Sequence, residues 1–125
     1  MTRVAAIVAL CAFALAGCGG GSSAYSAGDA AACLTKNGSK ISHEVDFVAS
    51  TATGGSFKTF FPDNDVTVVF GETDGDAANL NQAYRRFHAE NVGIDDVLFA
   101  QGNAVMLWHL HPSDADQATL TGCLK

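Results

Sequence analysis

The stretch from Val97 to Leu110 restricts the possible folds more than any other part of the chain. Val97-Leu98-Phe99-Ala100 and Ala104 to Leu110 are two β-rich runs joined through Gln101-Gly102-Asn103. Gly-Asn at the centre suits a two-residue primed turn, whose backbone twist matches the strands it joins. With Gly102 and Asn103 as the turn pair, Gln101 faces Ala104, Leu98 faces Leu107, and Asp96 faces His109. Alternation then puts Val97, Phe99, Met106, Trp108 and Leu110 on a first face. Leu98, Ala100, Val105, Leu107, His109 and His111 share the second. Both faces are apolar near the turn, so each needs a cover.

The remaining pattern supplies those covers. Ser26 followed by Asp29 has capping-box spacing, Ala30, Cys33 and Leu34 form an apolar stripe, and Gly38 is a stop, which predicts a helix over 27–37. Ile41, His43, Val45 and Phe47 alternate with Ser42, Glu44 and Asp46, the pattern of a half-exposed strand broken at Thr53-Gly54-Gly55. Phe57 to Phe61 and Val66 to Phe70 form a hairpin around Pro62-Asp63-Asn64-Asp65. A helix over 74–91 follows, capped by Thr73 or Asp74, with Ala77, Leu80, Tyr84 and Phe87 at helical spacing. Ser113 and Asp116 open a closing helix that ends near Leu124 and carries Cys123.

The expected order is αβββαββα. Two tight hairpins argue for an antiparallel sheet of about five strands packed with helices, an α+β fold. Helix 74–91 covers one side. The face holding Phe60, Leu98, Val105 and Leu107 is expected to be buried, either beneath the terminal helices or as an interface.

The first residues follow a different logic. Met1-Thr2-Arg3 carries one positive charge, and Val4 to Ala16 contains none. Such a run has the length of a signal-peptide core and is too short to span about 30 Å of hydrocarbon. Leu15-Ala16-Gly17-Cys18 resembles the lipobox of bacterial lipoprotein precursors, in which small residues precede a cysteine that becomes the acylated N-terminus. The resemblance covers residues 1–18 only. It implies a signal peptide over 1–17, acyl chains such as palmitate on Cys18, and a lipid anchor on the extracytoplasmic side of the cell membrane. Ala14-Leu15-Ala16 also fits the ordinary cleavage pattern that would release a soluble secreted protein. Gly19 to Ser23 reads as a flexible tether within 18–25, since a Gly/Ser run cannot pack. A single α+β domain then occupies 26–125.

Of the four cysteines, Cys11 leaves with such a leader and Cys18 takes the lipid. Cys33 and Cys123 remain as an even pair in an oxidising compartment and are expected to join the terminal helices by a disulfide. Neither has the spacing of a redox or zinc motif.

Charge excludes one class of partner. Beyond the leader, six basic side chains face thirteen acidic ones, and Arg85-Arg86 is the lone adjacent basic pair. A chain this acidic repels phosphate backbones, so nucleic acid is not an expected partner. At 48% apolar and 16% charged the composition is that of a globular domain.

Few residues invite chemistry. Asp96, His109 and His111 collect at the far end of the second face and could hold a divalent ion, although H-x-H is a common short pattern. Asp74-Gly75-Asp76 and Asp63-Asn64-Asp65 lack the distal ligands of a calcium loop. No nucleophile elbow or phosphate loop is present. Phe60 and Phe61 are adjacent on a strand and so point to opposite faces, which makes them a candidate contact patch for an envelope protein or a small apolar ligand. The expectation is a non-catalytic binding module that needs no cofactor. The alternative is a small metal-binding protein or enzyme using Asp96, His109 and His111.

Overall fold

A computed structural model describes residues 24–87 and 93–125. The leader, Cys11, Cys18 and the Gly/Ser run to residue 23 lie outside the described residues, as do residues 88–91 of the expected second helix.

The chain enters at Tyr25 and forms α1 (Ala27–Lys36), started by Ser26, whose Oγ accepts from the Asp29 N–H at 3.3 Å. Next come β1 (Ile41–Ser42), α2 (Phe47–Ser50), β2 (Ser56–Phe61), β3 (Asn64–Phe70) and α3 (Asp74–Phe87). After them follow α4 (Ile94–Val97), β4 (Leu98–Gln101), β5 (Ala104–Trp108) and α5 (Asp114–Gly122). Thr73 caps α3 by accepting from the Asp76 N–H, and Ser113 caps α5 by accepting from the Asp116 N–H, both at 3.1 Å. The fold is α+β. Its strands form one antiparallel sheet in the order β1-β2-β3-β5-β4, and the expected element order holds with two short helices, α2 and α4, added.

The last hairpin has the register its turn demands: Gln101 faces Ala104 and Leu98 faces Leu107. Gly102 takes a positive φ of 54° and Asn103 does not, which fits the primed turn with glycine at its first central position. Three local expectations change. The strand expected over 41–47 stops at Ser42, because Ser42 Oγ accepts from the Glu44 N–H and Asp46 Oδ1 caps α2 by accepting from the Ala49 N–H. The first hairpin turns on Pro62-Asp63 alone. Asn64 and Asp65 join β3, with Asn64 bonded through both side-chain polar atoms to the backbone of Leu110. Val97 belongs to α4 and β5 ends at Trp108, so Asp96 does not face His109 across a strand pair.

The layers are also assigned differently. α1 and α5, joined by the Cys33–Cys123 disulfide with Cα atoms 5.4 Å apart, lie over the first face. There Phe57, Val66, Val68, Phe70, Met106 and Trp108 are buried against Leu34 and Leu120. The second face is covered by α2 and α3, whose Val48, Ala49, Ala77, Leu80 and Tyr84 pack on Val69, Leu98 and Val105. The cause lies in the two surfaces. The first face is mainly apolar, and its buried Thr59 donates to the Lys40 carbonyl. The second carries the charged Lys58 and Asp65 beside Thr67, and burying such charges under a full layer would cost desolvation.

Candidate functional site

The cover of the second face is incomplete, and the gap is the candidate site. Register places Lys58, Thr67 and Leu107 side by side across β2, β3 and β5. α2 has four residues, one turn, and α2 and α3 bury Val69 and Val105 while leaving Leu107 half-buried. A groove of about 680 Å³ remains between the sheet and the helices. Phe47 and Val48 of α2, Tyr84 and Phe87 of α3, and Ile94 and Val97 of α4 form its walls, and His109 stands at the end of β5. Phe47 and Phe87 are 77% and 68% exposed, unusual for phenylalanines and explained here by their place at the mouth.

The polar groups of the groove are arranged in pairs. Tyr84 donates its hydroxyl to Asp46 at 3.0 and 3.2 Å. Burial and then the Asp46 carboxylate push the Tyr84 phenol far above its usual range, so it remains a donor. Lys58 Nζ lies 3.5 Å from Asp65 Oδ1 and 5.6 Å from the Phe60 ring centre. Nothing in this set resembles a nucleophile with an attached base. It forms an apolar trough with a few polar groups along one side.

The groove sits away from the point of chain entry. The Tyr25 N–H donates to Asn103 Oδ1 at 2.7 Å, Asn103 Nδ2 donates to the Tyr25 carbonyl at 3.0 Å, and the Ser26 N–H donates to the Lys125 carbonyl. Both ends of the domain therefore meet at the β4–β5 turn. Leu107 and His109 lie three and five residues beyond Ala104, roughly 10 and 17 Å along the sheet at the rise of a strand.

The residues singled out from sequence end in different places. Phe61 is half-buried on the first face with its ring 5.4 Å from that of Trp108, and Phe60 is 43% exposed on the second face beside Lys58, so the adjacent pair does split. His109 lines the groove. His111 Nδ1 lies 2.7 Å from the Asp96 backbone carbonyl, joining the start of the last loop to α4. Among the described residues, no three His, Cys, Asp or Glu side chains converge as a metal site would require. Asp74 and Asp76 occupy the first turn of α3, where acidic residues suit the helix dipole.

No motif in the sequence marks Asp46, Lys58, Thr67 and Tyr84 as a site. Asp46 followed three residues later by Ala49 is an N-cap spacing, masked by the alternation of Ile41, His43, Val45 and Phe47. Tyr84 lies on the apolar stripe of α3 and reads as core.

Comparison with family models, with curated proteins and with solved structures finds no match. No helix of the described residues is long and apolar enough to cross a membrane.

Proposed function

We propose that this chain is a lipoprotein anchored through Cys18 outside the cytoplasm, and that it acts as a non-catalytic module binding a small, mainly apolar ligand. The observation that carries the binding part is the groove over Leu107, of about 680 Å³, with Phe47 and Phe87 at its mouth. That volume falls within the roughly 300–1,000 Å³ of small-molecule sites. The anchoring part rests on Leu15-Ala16-Gly17-Cys18 and the Gly/Ser run behind it. The two parts are compatible. A domain tied down near Tyr25 carries its groove at the other end of the sheet, where a tether does not obstruct it.

The binding part is tested by extracting protein purified from its native envelope with organic solvent and identifying what is released. A small apolar compound in near-equimolar amount, lost in a Leu107→Asp variant that stays folded, is the expected result. Protein that is empty, and that is neither stabilised by nor binds any member of an apolar ligand panel, would overturn it.

A further inference from the structure

We infer that the groove favours an apolar ligand carrying a positive charge, an amphiphilic amine or quaternary ammonium, over a neutral or anionic one; this rests on the groove being the binding site proposed above. Among the described residues, the charged side chains of its lining are Asp46, Asp65 and Lys58, one net negative charge. Lys58, the ammonium group among these lining residues, is already engaged by Asp65 at 3.5 Å and lies over the Phe60 ring. An anionic head group would have to displace Asp65 from it. A cationic one meets no such competition. Asp46 is exposed beside Phe47, and although its carboxylate accepts from Tyr84 and from the Ala49 N–H, a carboxylate has about four acceptor positions. An ammonium there gains a counter-charge in a groove that Phe47 and Phe87 also line, and aromatic rings attract cations. The chain as a whole carries a formal charge of −6, which draws cations toward it and slows the approach of anions.

The test uses the full chain carrying Cys18→Ser, so that no detergent competes for the groove. Octyltrimethylammonium, octanol and octanoate share an apolar tail and differ in charge. Their binding is measured by equilibrium dialysis at mildly alkaline pH, where histidine is neutral. The cation should bind about tenfold more tightly than the anion, with the alcohol between them. Two variants that retain the native circular dichroism should then move in opposite directions. Lys58→Met removes a positive charge and should tighten cation binding about threefold, whereas Asp65→Asn should weaken it by about the same factor. Binding that ignores the sign of the charge, or that favours octanoate, overturns the inference and leaves the groove as a binding site. Failure of all three probes overturns both.

Discussion

The Tyr84 hydroxyl spans both oxygens of the Asp46 carboxylate, at 3.0 and 3.2 Å, and so ties the fourteen-residue α3 to the single turn of α2. One wall of the groove depends on this contact, because α2 is too short to persist without tertiary support. Tyr84→Phe should cost about 1 kcal/mol, since the exposed Asp46 can turn to water. Asp46→Ala removes the helix cap as well and should cost more, about 2 kcal/mol. Urea denaturation of the two variants measures both. Equal losses would mean that the cap contributes nothing.

The same contact has a pH signature. Burial, followed by the Asp46 carboxylate, raises the Tyr84 phenol above its unfolded value. The stability it contributes is therefore complete below about pH 10 and declines as pH rises further, because the unfolded chain loses the proton first. In a Tyr25→Phe variant Tyr84 is the sole phenol. Its ultraviolet ionisation signal should appear together with loss of far-ultraviolet dichroism, and ionisation in a still-folded protein would contradict the buried contact.

The two sides of the sheet should respond differently to truncation. Leu120, on the inner side of α5, is fully buried, and Leu120→Ala should cost about 2–5 kcal/mol. Leu107 is half-buried on the floor of the groove, so Leu107→Ala should fall well below that range, at about 1 kcal/mol. Thermal or urea unfolding ranks them, and a Leu107 loss equal to that of Leu120 would mean the groove closes in solution.

Asn103 should be among the least replaceable polar residues. It is 2% exposed, its Oδ1 accepts from the Tyr25 N–H, and its Nδ2 donates to the carbonyls of Tyr25 and Gly71. Asn103→Ala strands those backbone groups and should cost about 2–4 kcal/mol, roughly 1–3 for the buried Gly71 carbonyl and less for the part-buried groups of Tyr25. Hydrogen exchange should quicken at Tyr25 and Ser26, where the chain enters, before it quickens in β3.

The proposed anchor yields a plain fractionation experiment. Cys18→Ser should abolish lipid labelling and release the protein from the membrane fraction. Wild-type protein that is already soluble, with its N-terminus at Gly17, would establish ordinary secretion instead. For the staple, replacing Cys33 and Cys123 together by serine should cost about 2–5 kcal/mol and free α1 from α5, as measured by urea unfolding against the oxidised protein.

Local signals were legible wherever a turn or a cap is made by neighbouring residues. Gly102-Asn103 determined the register of β4 against β5, and Ser26, Thr73 and Ser113 marked the starts of three helices. The pairing of Cys33 with Cys123 is expected without any knowledge of shape once the lipobox resemblance sets Cys11 and Cys18 aside, and the two are joined. The sequence was misleading where a short-range hydrogen bond competed with an alternating pattern, as at Asp46, which turns an apparent strand into α2. Tertiary structure alone decided which helices lie on which face, because both faces of the last hairpin are apolar and the choice depends on charges carried by other strands, Lys58 and Asp65. The groove followed from that choice. Its floor, walls and polar pairs come from β2, β3, β5 and three helices far apart in the chain, so no window of sequence contains it. Periodicity reports which side of an element is apolar, but only packing reports whether anything covers it.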